Sequence, residues 1–236
     1  MRQKKRTAIL ISGRGSNMSA LIRAAAEADY PAEIAAVVSD RADAPGLVAA
    51  RAAGIEAVPV PRTDFADKAA HEAAIEETLS AHETELICLA GFMRMLSADF
   101  VNRWEGRMIN IHPSLLPLFR GLDTHARALE AGMRIHGCTV HFVTAEMDSG
   151  PIVAQAAVPV LPGDAPDDLA ERVLRVEHQI YPLALALAAS GKARMENGRT
   201  VFARNGDIGW SEKASFLVPS SLEEVRDLED LARRTP

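Results

Sequence analysis

Thr7-Ala8-Ile9-Leu10-Ile11-Ser12-Gly13-Arg14-Gly15-Ser16-Asn17 decides the fold. Residues 7–11 are an unbroken apolar run stopped by Ser12-Gly13, which reads as a strand buried on both faces. From Ser16 onward the period changes. Met18, Leu21, Ile22 and Ala25 fall on one helical face, so residues 16–28 read as a helix. A buried strand running through a glycine turn into a helix is the opening unit of a parallel sheet covered on both sides.

The same alternation continues outward. Strands are expected at residues 34–38, 57–60, 85–90 and 107–111, with helices at 45–53 and 66–81 between them. Right-handed crossovers make this an α/β, Rossmann-like, doubly wound sheet. The second half differs. Residues 137–144 and 152–160 are β-rich and separated by a short turn, which predicts an antiparallel C-terminal portion. A long helix at 164–189, a hairpin around Gly198 and a charged amphipathic stretch at 222–234 complete the chain. Residues 1–206 read as one domain, and 207–236 as a helical extension with no assigned function.

Composition narrows the classes. The 236 residues are 48% hydrophobic and 25% charged, ordinary for a globular protein. A net charge of −6 argues against a nucleic-acid partner. The basic start at residues 2–6 is followed by too short an apolar run for a signal peptide, and no stretch reaches the ~20 apolar residues of a membrane span. Cys88 and Cys138 each sit in an apolar run without a CxxC pattern, so both read as buried thiols in a reducing cytoplasm.

Three motifs carry chemistry. In Ser12-Gly13-Arg14-Gly15-Ser16-Asn17 the glycines permit close backbone approach, and the following helix N-terminus suits a phosphate. The turn also admits a purely structural reading with Ser16 as N-cap. A nicotinamide-cofactor reading gains from Asp40 but lacks the third glycine, where Met18 stands. Asn110-Ile111-His112-Pro113 closes a strand, and period-two alternation aims Asn110 and His112 the same way. Glu146-Met147-Asp148-Ser149-Gly150-Pro151 is a turn that brings Asp148 to His112 if it folds over that strand. There the carboxylate would orient the imidazole and raise its pKa.

These motifs, with Leu89-Ala90-Gly91-Phe92-Met93-Arg94-Met95-Leu96 and His136-Gly137-Cys138-Thr139-Val140-His141-Phe142-Val143, resemble the folate-dependent formyltransferases over residues 7–201. The likeness is strongest to members that formylate the amine of 5-phosphoribosylglycinamide in purine synthesis. It implies 10-formyltetrahydrofolate as co-substrate, no metal, small-molecule substrates only, and a monomer or weak homodimer. On the resemblance, Asn110, His112 and Asp148 are the catalytic residues. Gly13, Gly15, Ser16, Asn17, Asn110 and Glu177 hold the ribonucleotide. Lys68, Met93, Arg94, Met95, Leu96, Thr144, Ala145, Glu146, Met147 and Asp148 form the folate pocket.

The chain departs from the family at Asp123-Thr124-His125, where many members carry His-Thr-His, and at Lys68, where an arginine is usual. Lysine lacks arginine's bidentate fork. A tRNA-directed member would need a basic C-terminal domain. A formyltetrahydrofolate hydrolase would carry an N-terminal regulatory domain and no phosphate loop.

Overall fold

The computed structural model describes residues 3–203; the 222–234 segment and the remainder of the extension lie outside them. Seven strands form one sheet in the order β3-β2-β1-β4-β5-β6-β7. They are β1 (Lys5–Ile11), β2 (Ala32–Ser39), β3 (Ala57–Pro59), β4 (Leu86–Leu89), β5 (Met108–His112), β6 (Ile135–Phe142) and β7 (Ile152–Pro159). The first five pair in parallel, whereas β6 runs antiparallel to β5 and β7 antiparallel to β6. The mixed sheet therefore matches the expected class. A hairpin of β8 (Ala193–Glu196) and β9 (Arg199–Phe202) stands apart as a second sheet.

Alternation divides the core into two layers. Ile9, Ile11, Val37, Cys88, Ile109 and Ile111 pack with α1 (Ser16–Ala25), α2 (Pro45–Ala52) and α6 (Pro166–Ala189). Ala8, Leu10, Val38, Ile87, Leu89 and Met108 pack with α3 (Lys68–Ala81) and α4 (Ala98–Arg103). Each fully buried Ile or Leu contributes about 1.5–3 kcal/mol, which explains why residues 8–11 of β1 and the whole of β4 are continuous apolar runs. Both cysteines are buried and free.

Local chemistry revises several boundaries. α1 ends at Ala25 rather than 28. Its N-cap is Gly15 in the left-handed region (φ 73°), with no side-chain cap, so Ser16 is the first helical residue and not the cap. α3 starts at Lys68 because Asp67 caps it, accepting from the Ala70 amide at 2.8 Å. α4 and α5 (Thr124–Glu130) are additional short helices in stretches where the sequence pattern predicts no element.

The strand order reverses direction between β1 and β4, where an open α/β sheet leaves a crevice. The loop after β1 is held from α2, whose Gly46 amide donates to the Gly13 carbonyl at 3.0 Å. A Cβ at Gly46 would lie 2.4 Å from Ile11 Cδ1 and 2.9 Å from the Gly13 oxygen. Gly46→Ala is expected to cost about 1–3 kcal/mol, as overpacking does. Urea unfolding of the variant measures this, and unchanged stability would mean the contact yields freely.

Candidate functional site

β5 and β6 build the centre of the site. Asn110 lies opposite His141 in the sheet and His112 opposite Thr139, so the four side chains share one face. The turn after β6 folds back over that face. Asp148 sits in it with φ 51°, a conformation uncommon for a residue other than glycine. Gly150 lets the turn close, because a Cβ there would fall 1.7 Å from the Phe142 oxygen.

The Asp148 carboxylate meets two imidazoles. Its Oδ2 is 3.5 Å from His112 Nδ1, and its Oδ1 is 3.9 Å from His141 Nε2. The Gly121 amide donates to Oδ2 at 2.9 Å. The expected approach of Asp148 to His112 is thus present, and His141 is a member of the cluster that the motif reading quoted without a role. Its signal was available in the sequence, since an antiparallel partner strand must place one of its residues opposite Asn110.

Hydrogen bonds assign the protons. His141 Nδ1 lies 2.9 Å from the Phe142 carbonyl, which can only accept, so this nitrogen carries a proton. Burial lowers the His141 pKa, against the opposing pull of the Phe142 carbonyl and Asp148. The ring is therefore neutral near pH 7, and its Nε2 lone pair faces Asn110 Nδ2 at 3.2 Å. The second Asn110 N–H makes no hydrogen bond among the described residues. His112 is nearly buried, and its Nε2 donates to the Phe119 carbonyl at 3.0 Å. Nδ1, beside Asp148, is the nitrogen left for chemistry.

Two flanks adjoin this centre. On the first, Asn17 Nδ2 donates to Glu177 Oε2 at 2.7 Å, so the glycine loop and the long helix α6 meet. Burial raises the Glu177 carboxyl above the usual range, and Asn17 partly offsets this. The first-turn amides of α1 follow Gly15 and Ser16 with no side-chain cap over them. Gly13 has open space where a Cβ would stand.

On the second flank, Met93, Met95 and Met147 are more than half exposed, unusual for apolar side chains grouped in neighbouring loops. Arg94, Met95, Leu96 and Lys68 line a cavity of about 200 Å³ with Arg62, which the sequence reading did not single out. Thr144 donates to the Glu146 carbonyl, Glu146 pairs with Arg120, and Ala145 is exposed beside them. A larger cavity of about 890 Å³ lies at the opposite ends of the strands, and none of the expected site residues line it. Among the described residues no three His, Cys, Asp or Glu side chains are grouped to hold a metal ion.

The profile of the formyl transferase family matches residues 5–185. The chain belongs to the formyl transferase family. It is 44% identical over 193 residues to phosphoribosylglycinamide formyltransferase of Haemophilus influenzae, covering 82% of this chain and 91% of that one. It is 48% identical over 198 residues to the bovine trifunctional purine biosynthetic protein adenosine-3. That match takes in 84% of this chain but only 20% of the relative, so the chain spans about a fifth of that trifunctional protein. The structure of phosphoribosylglycinamide formyltransferase from Brucella melitensis is 59% identical, with a TM-score of 0.77 over 80% of this chain and 97% of that one. A formyltetrahydrofolate deformylase from Pseudomonas syringae shares the fold at TM-score 0.77 with 25% identity, over 85% of this chain and 66% of that one.

Against the Phe119 ring lies a second pair of imidazoles. His125 and His136 pack edge to face at 5.2 Å, and burial pushes His136 from its usual 6.5 down to about 4. The unfolded chain takes up this proton near pH 6.5, but the fold accepts it only near 4. The associated stability is complete above about 6.5 and is lost as pH falls towards 4. The melting temperature is expected to fall between pH 7 and 4, with a shallower slope in His136→Gln. Parallel slopes in the two proteins would rule out His136 as the source.

Proposed function

We propose that the chain transfers the formyl group of 10-formyltetrahydrofolate to the amine of 5-phosphoribosylglycinamide, giving formylglycinamide ribonucleotide and tetrahydrofolate. The observation that carries this reading is the placement of the Asn110–His112–His141–Asp148 cluster between two unlike flanks. The relatives named above support it. Asn17, Glu177 and the open turn at Gly13, Gly15 and Ser16 suit a phosphorylated ribosyl amine. The exposed methionines, with Lys68, Arg62 and Arg94, suit a flat heterocycle bearing a carboxylate tail. Residues 1–206 act as one formyltransferase domain on small molecules in the cytoplasm, as a monomer or weak homodimer.

Attack of an amine on a formyl carbon puts negative charge on the former carbonyl oxygen. The second N–H of Asn110 is the donor placed to meet it, pre-oriented because His141 holds the first. His112 can carry a proton at Nδ1, the nitrogen that faces Asp148 Oδ2 at 3.5 Å. The proton that leaves the amine and the one that arrives on the departing nitrogen differ only in place, so one such imidazole serves both transfers.

His112→Ala and Asp148→Asn are each expected to lose at least about 10²-fold in kcat while retaining the fold. Turnover is followed by the absorbance change on folate deformylation, and near-normal rates in either variant would sink the mechanism. The same assay without glycinamide ribonucleotide tests the acceptor. Formyl release that does not need the ribonucleotide would favour the hydrolase related by fold.

A further inference from the structure

The loop between β4 and α4, Gly91-Phe92-Met93-Arg94-Met95-Leu96-Ser97, has no regular structure. Ordering such backbone costs about 1–2 kcal/mol per residue, so an irregular segment keeps one shape only if other elements hold it. Three buried side chains from three elements do so. Ser12, after β1, accepts from the Met93 amide at 2.8 Å. Asp40, after β2, accepts from Arg94 Nε at 2.6 Å. Glu72, in α3, accepts from the Ser97 amide at 2.7 Å and from the Ser97 hydroxyl.

The two carboxylates are expensive in these positions. The Asp40 and Glu72 side chains are 1% and 7% exposed, whereas Arg94 and Lys68, the cations they face, are each 50% exposed. Asp40 Oδ1 is buried with no hydrogen-bond partner, so that side chain is not fully satisfied by the fold itself. Burying a carboxylate to hold a half-exposed arginine is a poor way to add stability, since apolar packing does it at lower cost. It is an effective way to fix a loop in advance of a ligand.

We infer that Asp40 and Glu72 are positioning residues for the folate co-substrate, holding loop 91–97 in its ligand-ready shape through Arg94 and Ser97. This rests on the reading of that loop as the folate wall. Asp40 sets the guanidinium of Arg94 at the cavity mouth. Glu72 fixes the far end of the loop by holding Ser97, whose own hydroxyl caps α4 on the Phe100 amide at 3.2 Å. Neither carboxylate is placed in contact with the reacting atoms.

The test uses the full chain with Glu72→Met, Glu72→Gln and Asp40→Ala. Glutamine keeps an acceptor for the Ser97 amide; methionine keeps the volume without one. Amide exchange without ligand reports the loop directly, and calorimetry with tetrahydrofolate and with glycinamide ribonucleotide reports the two sites separately. In Glu72→Met and Asp40→Ala, exchange in loop 91–97 is expected to rise and tetrahydrofolate to bind about tenfold more weakly, the loss of roughly one charge-assisted hydrogen bond. Ribonucleotide affinity is expected to hold, and Glu72→Gln to recover most of the loss.

Equal weakening of both ligands would mark a merely structural role and overturn the proposal, as would unchanged tetrahydrofolate affinity with faster exchange. Absence of tetrahydrofolate binding in the unaltered protein, with exchange still responding to Glu72→Met, would locate the failure in the folate reading. The proposal would fall with that reading.

Discussion

β6 runs against β5 with Asn110 opposite His141 and His112 opposite Thr139, and the polar centre follows from that register. A slip of one residue would turn His141 into the apolar layer beneath α6 and present Val140 or Phe142 to Asn110. Two packing details hold the register. Thr139 Oγ1 donates to the Ser114 carbonyl and accepts from the Leu116 amide, tying β6 to the segment that follows β5. Gly137 has the Ala156 oxygen where a Cβ would stand, which admits only glycine at that point.

From that register the electrostatics follow. Asp148 brings one carboxylate to two rings that differ in their other partners. His141 gives its proton to a backbone carbonyl and is desolvated, so burial keeps it neutral. His112 gives its Nε2 proton to Phe119 and turns Nδ1 to the carboxylate. Similar imidazoles thereby take unlike tasks, one orienting an amide and one available for proton transfer. The strained φ of Asp148 and the crowded Gly150 turn are local costs that the surrounding fold must offset.

The sequence made the sheet legible where burial is two-sided. Residues 8–11 of β1 and the whole of β4 read as continuous apolar runs because helices cover both faces. The six-residue α4 and seven-residue α5 were hidden because each is too short to show a helical period. The cap of α1 was misplaced by one position because Gly15 enters the left-handed region and takes the capping place. In the site, Asn110, His112 and Asp148 were legible as motif residues. Asp40 reads from the sequence only as support for a nicotinamide cofactor, and Glu72 carries no signal, because their loop partners lie 54 and 25 residues away and only the fold joins them.

The fold is shared with a formyltetrahydrofolate deformylase, so a formyl-transfer centre alone does not choose between amine and water as acceptor. On the proposed reading the choice lies at Asn17 and Glu177. A bare amine near pH 7 is mostly protonated, and an ammonium is no nucleophile. Burial makes the Glu177 carboxyl hold a proton more tightly than a solvated glutamate would, and Asn17 bonds only one of its oxygens. As a carboxylate, such a group can accept a proton from an incoming ammonium at its second oxygen, leaving a neutral amine and a carboxylic acid, while the phosphate is held at the turn. Water offers neither a charge for Glu177 nor a phosphate for the α1 N-terminus, so it gains nothing from that flank. Selectivity for the amine then comes from binding that water cannot use, with the formyl centre indifferent between them.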